Sequence, residues 1–305
     1  MTTAKPEIKV IAFYKFVELE DYEEIRHPLW EYCNGKQVKG SILLAQEGLN
    51  GMLAGEPAAI DEVVTHLRSD ERLSDLLTKE SFSDFQPFRR MKVRLKTEIV
   101  RLGVPGINPS CQVGTYVKAA DWNDLISDPE VLLIDTRNDF ECKLGTFKGA
   151  VNPVTDSFSD FPEYAETRLD PDKHKKIAMF CTGGIRCEKS TSYLLSKGFE
   201  KVYHLQGGIL KYLEDIPAEE SMWEGECFVF DDRVTLDHDL NPGQYELCRG
   251  CWQPLDEDMK ASDKYEEGIS CPACYDALTD AKRASRAERN LQFKLRKERG
   301  ENFPN

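Results

Sequence analysis

Apolar and polar positions change period several times along the first hundred residues. Ile8–Phe16 is apolar-rich and predicts a strand, and Tyr22, Ile25, Leu29 and Tyr32 then recur at helical spacing across residues 21–32. Residues 41–45 predict a second strand, Gly48-Leu49-Asn50-Gly51 a turn, and residues 51–55 a third strand. Pro57 opens a helix over 58–67, and Met91–Leu95 predicts the last strand. The order βαββαβ is that of a ferredoxin-like α+β domain, here spanning 1–105. Gly103-Val104-Pro105-Gly106-Ile107-Asn108-Pro109 breaks all periodicity and predicts a linker.

Beyond it the pattern becomes short apolar runs separated by helical stretches. Val131–Asp135, residues 177–181 and residues 202–205 predict buried strands, with a helix over 188–197 that ends at Gly198. Such alternation implies an α/β domain over 113–220, a parallel sheet covered by helices on both faces. After Pro217 the regular pattern fades. Residues 221–305 become acidic, then cysteine-paired, then a basic stretch compatible with a helix.

Composition narrows the function classes. The 305 residues hold no run of eighteen apolar positions, and Met1-Thr2-Thr3-Ala4-Lys5-Pro6 does not lead into one, so neither a membrane span nor a secretory signal is expected. A soluble, cytoplasmic protein without a membrane partner is the expectation. Ten cysteines without an export signal point to thiol chemistry and metal binding rather than disulfides. The net charge of −14 argues against indiscriminate nucleic-acid binding, although residues 89–101 and 282–299 run strongly against that average.

The candidate chemistry centres on Cys181-Thr182-Gly183-Gly184-Ile185-Arg186. A strand ending in cysteine, followed by two glycines, an arginine and a helix, places backbone N–H groups and a helix N-terminus around one sulfur. That setting favours a thiolate, and reactive thiols of this kind occupy electropositive, partly exposed sites. A buried inert cysteine would need neither the glycine pair nor Arg186. Cys187 has two readings: a resolving thiol for an oxidised Cys181, or a small filler in the first helical turn.

The loop resembles the active loop of rhodanese domains, a cysteine and an arginine separated by four residues. Two framing stretches carry the same resemblance: Ile134-Asp135-Thr136-Arg137 leading to Gly145-Thr146-Phe147-Lys148-Gly149-Ala150-Val151-Asn152, and the run from Gly198 through Gln206-Gly207-Gly208-Ile209. By that resemblance Asp135 and Arg137 order the fold beneath the loop. The longer run to Cys187-Glu188-Lys189, with Glu47-Gly48-Leu49-Asn50-Gly51 and Met91-Lys92-Val93-Arg94, is similar to the bacterial tRNA uridine hydroxylase family. This resemblance implies an oxidoreductase acting on the wobble uridine in the anticodon loop of tRNA. It implies 5-hydroxyuridine as product, molecular oxygen as co-substrate, an unidentified reductant and Cys181 as the catalytic residue. No flavin, haem or nicotinamide site is evident in the sequence.

Two further features belong to the same picture. Cys248-Arg249-Gly250-Cys251 and Cys271-Pro272-Ala273-Cys274 are C-x2-C pairs nineteen residues apart, the spacing of a structural four-cysteine zinc site, with two reduced unmetallated pairs as the alternative. Arg90, Lys92, Arg94 and Lys96 alternate with apolar Met91, Val93 and Leu95 and predict a basic row on one strand face, which fits either an RNA-binding row or an ordinary solvated sheet face. The tail residues Lys282, Arg283, Arg286, Arg289, Lys294, Arg296, Lys297 and Arg299 form a helix-compatible run with two readings, a helix that orders only on RNA or a solvated solubility element.

The activated sulfur suits other classes as well. A persulfide-carrying sulfurtransferase needs the same thiolate. A phosphatase is disfavoured by the short loop, and a non-catalytic tRNA-binding adaptor leaves the intact loop unexplained. The oligomeric state is not legible.

Overall fold

The computed structural model describes residues 7–299, which form two compact units: residues 7–228 with Leu236–Asn241, and Val229–Thr235 with residues 242–299. Among the described residues no helix is long and apolar enough to cross a membrane.

The first unit begins with β1 (Ile8–Phe16), α1 (Tyr22–Gly35), β2 (Lys39–Ala45), β3 (Gly48–Gly55), α2 (Pro57–Arg68), β4 (Thr78–Ser83) and β5 (Met91–Leu95). The sheet order is β4-β1-β3-β2-β5, antiparallel except that β5 runs parallel to β2. The first four strands give the ferredoxin-like order. Two expectations need correction here. The fourth core strand is β4, and the predicted last strand, Met91–Leu95, is a fifth strand on the opposite edge. Thr-Lys-Glu-Ser-Phe-Ser carries no apolar alternation, so its strand state comes from pairing with the open edge of β1. The turn between β2 and β3 is Gln46-Glu47, and Gly48-Leu49-Asn50 belongs to the strand.

The pleat separates two faces of this sheet. Ile11 and Phe13 of β1, with Met91 and Val93 of β5, pack in one core with Leu29 of α1 and Ile60, Val63 and Leu67 of α2. Side chains one residue out of phase point to the helix-free face. Register carries that face across all five strands: Lys79 pairs with Ala12, Ala12 with Met52, Met52 with Ser41, and Ser41 with Lys92.

The second half of the unit contains β6 (Thr115–Val117), α3 (Ala119–Ser127), β7 (Val131–Asp135), α4 (Asp139–Cys142), β8 (Gly145–Phe147), α5 (Phe161–Arg168), β9 (Lys176–Phe180), α6 (Ile185–Ser196), β10 (Lys201–Leu205) and α7 (Gly208–Asp215). Strands β6-β10-β9-β7 form a parallel sheet. One core, with Phe161, Tyr193 and Phe199, packs against one face, and another, with Trp122, Phe147 and Tyr212, against the other. Helix α6 starts at Ile185, three residues earlier than its apolar pattern predicts, because Gly184 in the left-handed region at φ 97° turns the chain directly into it.

Helix α6 is polar in sequence, yet every residue from Arg186 to Leu194 is buried. The helix-free face of the first sheet meets its N-terminal turns. Tyr14 donates to Glu188 at 3.0 Å, and Lys189 lies over the Phe16 ring while its ammonium pairs with Glu47 at 2.8 Å and Glu98 at 2.6 Å.

Candidate functional site at the Cys181 loop

β9 delivers Cys181 to the carboxyl end of the parallel sheet, where the following residues coil around its sulfur. The Gly184 N–H donates to Cys181 Sγ at 3.1 Å. Burial works against ionisation, but the Cys187 thiol, the Arg186 guanidinium and the backbone N–H groups of Cys187 and Arg186 outweigh it and bring the Cys181 thiol down to about 5. Cys187 behaves in the opposite way: burial and the neighbouring Cys181 sulfur push its thiol well up, so it stays protonated. Thr136 lies 3.6 Å from the Cys187 sulfur. The loop thus holds one thiolate and one thiol side by side.

Contrary to the expectation of a partly exposed sulfur, Cys181 is 0% exposed. It is closed in by the α7 turn and by groups from the first sheet. Gly208, with φ 72°, stands where a Cβ would lie 2.5 Å from the Cys181 carbonyl and 2.7 Å from Gly184 N, so only glycine lets α7 begin against the loop. Ile209 and Leu210 donate their N–H groups to the Cys181 and Thr182 carbonyls at 3.0 and 3.1 Å. Gly183 has nothing within 4 Å of its Cβ position and is the open side of the loop.

Arg186 does not point at the sulfur with its hydrogen-bond donors. Nη1 and Nη2 bind Glu141 of α4 at 2.7 and 2.8 Å, and Nη2 also reaches Thr182 Oγ1 at 3.2 Å. Its influence on Cys181 is that of a nearby charge. Asp135 and Arg137 form a second buried pair at 2.6 Å, braced by Thr146 and the Gly145 carbonyl. They support the floor of the loop and do not contact its sulfur.

Four residues near the loop escaped the sequence reading as site residues. Glu188 accepts from Tyr14 at 3.0 Å and from Tyr116 at 2.7 Å, and burial raises its carboxyl while the two hydroxyls oppose the rise. The Tyr14 phenol is pushed well up by burial, then by Glu188 and Cys181. Lys79 reaches the same cluster from β4, its Nζ 4.9 Å from the centre of the Tyr14 ring. Glu188 was legible as part of the loop run. Tyr14, Tyr116 and Lys79 have no local signal, since strand pairing and domain packing bring them there.

Lys92 and Arg94 project from the helix-free face of β5, with Arg90 and Lys96 just outside the strand ends. Burial and the charges of Arg90, Arg94 and Arg89 depress the Lys92 amine, the electrostatic mark of a clustered basic surface. By register Lys92 shares its row with Lys79, four strand spacings or about 19 Å away.

In the second unit, the sulfurs of Cys248, Cys251, Cys271 and Cys274 all lie within 4.8 Å of one another. The Cys251–Cys271 and Cys271–Cys274 separations are 3.6 and 3.9 Å. Tetrahedral zinc with four thiolates requires sulfur separations of about 3.8 Å, far longer than a disulfide, so the donor set fits the ion. These cysteines would hold a structural zinc with no coordination position left for substrate. The C-terminal helix, Asp280–Glu298, packs back on this cluster. Arg286 donates to the Ile269 carbonyl at 2.8 Å and to Cys274 Sγ at 3.5 Å, and Arg283, Arg289 and Lys294 bind Glu266, the Arg249 carbonyl and Glu267. The expectation of a tail that orders only on RNA is corrected for these residues: internal contacts already hold them. The side chains of Arg296 and Lys297 lie outside the described residues.

Two stretches of the chain match known protein families. Residues 8–99 match the UPF0176 acylphosphatase like domain, and residues 118–215 match the rhodanese-like domain. The pairing is consistent with rhodanese-containing proteins of the UPF0176 type. Similar solved structures include a rhodanese-like domain from Anabaena sp., 21% identical, covering 37% of this chain and 80% of that one, with a TM-score of 0.31. A rhodanese-related protein from Thermoplasma volcanium is 26% identical, covers 34% and 95%, and has a TM-score of 0.28. A rhodanese-like domain protein from Staphylococcus aureus is 18% identical, covers 32% and 90%, and also has a TM-score of 0.28. The rhodanese-like domain supports a sulfurtransferase-like or related function.

Proposed function

We propose that the protein is a tRNA-modifying oxidoreductase that converts the wobble uridine to 5-hydroxyuridine, with Cys181 as the nucleophile. The observation that carries this reading is the loop coiled around Cys181, whose Sγ accepts from the Gly184 N–H at 3.1 Å in a setting that favours its thiolate, while burial keeps the Cys187 thiol protonated. The thiolate adds to C6 of the uracil, and the electron pair of the C5=C6 bond moves toward C5 and the C4 carbonyl. C5 then bonds to molecular oxygen. A thiol reduces the resulting peroxide, one oxygen stays on C5, and departure of Cys181 with loss of the C5 proton restores the ring. The balance is one uridine, one dioxygen and two thiols in, and one 5-hydroxyuridine, one disulfide and one water out. In this reading Cys187 serves as one of the two thiols, and an external dithiol regenerates the pair. The base must leave its stack to enter, which costs least in a single-stranded anticodon loop. The basic face of β5 supports a polyanionic substrate.

The second reading is sulfur transfer through a persulfide on Cys181, favoured by the same ring of N–H donors around the sulfur. Mass spectrometry separates the two. tRNA incubated with the protein, isotopically labelled dioxygen and a dithiol gains one labelled oxygen on uridine under hydroxylation. Under sulfur transfer the protein incubated with a sulfane-sulfur donor instead gains one sulfur on Cys181 as a persulfide, whose outer sulfur passes to an acceptor thiol. Cys181→Ala abolishes either product, and a labelled product from that variant sinks the thiolate mechanism.

A further inference from the structure

The oxyanion that forms on the substrate needs a cation, and Arg186 has its terminal nitrogens committed to Glu141 and Thr182. Lys79 is the cation at this site that lacks such a commitment. It is half-buried, and among the described residues no carboxylate or hydroxyl hydrogen-bonds its ammonium. Its register partner Ala12 places it on the helix-free face with Tyr14, whose hydroxyl reaches Gly184 of the cysteine loop. Its Cε lies 3.7 Å from where a Cβ on Gly207 would stand, at the turn that precedes Gly208. The groups facing it are Tyr14 from β1, the Cys181 sulfur, Glu188 from α6 and, across Gly207, Lys211 from α7. Lys211 is occupied by Glu214 and Asp215.

We propose that the first sheet supplies Lys79 as a catalytic residue of the Cys181 site, its ammonium binding the oxyanion that develops on the substrate carbonyl when the Cys181 sulfur adds to the ring. The inference rests on the uridine reading above and extends it. As the S–C6 bond forms and the C5=C6 π bond breaks, the electron pair delocalises onto the C4 oxygen. Lys79 donates a hydrogen bond to that oxygen and transfers no proton, and the pair returns as Cys181 leaves. No electrons are exchanged with the protein in this step. An unpaired ammonium at a half-buried site has a desolvation cost, which an anion formed in the reaction offsets. Burial draws the Lys79 amine down to about 8, while the Cys181 and Glu188 charges oppose the fall, so the residue remains a cation at neutral pH.

Two measurements test it on the full chain, with Lys79→Met and Lys79→Arg checked for folding by circular dichroism. The first needs no substrate: ultraviolet thiolate absorbance is followed against pH, each variant being subtracted from its own Cys181→Ser counterpart. Lys79→Met raises the Cys181 midpoint by about one unit, and Lys79→Arg leaves it in place. An unmoved midpoint in Lys79→Met overturns the coupling. The second uses an anticodon stem-loop RNA with 5-fluorouridine at the wobble position and reads the covalent adduct on Cys181. Lys79→Met slows adduct formation by about ten- to a hundredfold with unchanged affinity for the RNA, and Lys79→Arg restores most of the rate. Equal rates in wild type and Lys79→Met overturn the oxyanion role. A wild-type chain that forms no adduct overturns the uridine reading and the oxyanion role with it, and the titration then decides the coupling alone.

Discussion

Arg186 and Glu141 form a closed pair beneath the cysteine loop, Nη1 lying 2.7 Å from Oε2 and Nη2 2.8 Å from Oε1, with Glu141 fully buried. Each cancels the charge of the other away from water. Removing one partner strands the other, so Glu141→Gln is expected to destabilise the protein by about 3 kcal/mol or more, read by urea unfolding. A change under about 1 kcal/mol would show that the pair is not structural.

Thiol reactivity provides a pH test of the loop. Cys181 is neutral below, and a thiolate above, a pKa of about 5. Its alkylation, mapped by mass spectrometry, is expected to rise through about pH 5 and level off before neutrality. Burial pushes Cys33 and Cys227 up to about 12, so both stay unmodified over the same range. A Cys181 profile that climbs only near pH 9 would mean that the N–H ring and Arg186 do not hold a thiolate.

Two glycines of the site should differ sharply. Gly208→Ala places a Cβ against the Cys181 and Thr182 carbonyls at a positive φ, whereas Gly183→Ala meets open space. The first variant is expected to lose product formation and several degrees of thermal stability, and the second to keep its stability. Similar melting temperatures for the two would contradict the close approach of α7 to the loop.

The four-cysteine cluster predicts one zinc per chain by elemental analysis. Cys271→Ser, or treatment with a strong chelator, should release the ion and expose residues 242–299 to protease. Full protease resistance after complete zinc loss would assign the fold of that unit to its other contacts.

Charge reversal at Lys92 and Arg94 tests the basic face of β5. Each lost phosphate contact lowers the slope of log affinity against log salt by about one. The double Glu variant should therefore bind tRNA more weakly and with a slope flatter by about two. Unchanged binding would remove this face from the interaction.

The sequence by itself determined the elements whose signals are local. β1, β7 and the parallel-sheet strands follow from short apolar runs, and the Cys181 loop follows from a cysteine, two glycines and an arginine at fixed spacing. The two C-x2-C pairs are equally local, and the structure brings all four sulfurs together. Tertiary structure decided the rest. β4 has no strand pattern of its own and exists because β1 offers an unpaired edge, and that pairing fixes the face on which Lys79 projects. Helix α6 is polar in sequence yet buried because a second sheet covers it, turning Glu188 and Lys189 into partners of residues far away in the chain. The partner of Arg186 is also decided by the fold, since α4 places Glu141 against its guanidinium. The physical reason is common to these cases: a local pattern reports which faces a segment must bury, while the partner of a buried charge depends on contacts between distant segments, which no local pattern encodes.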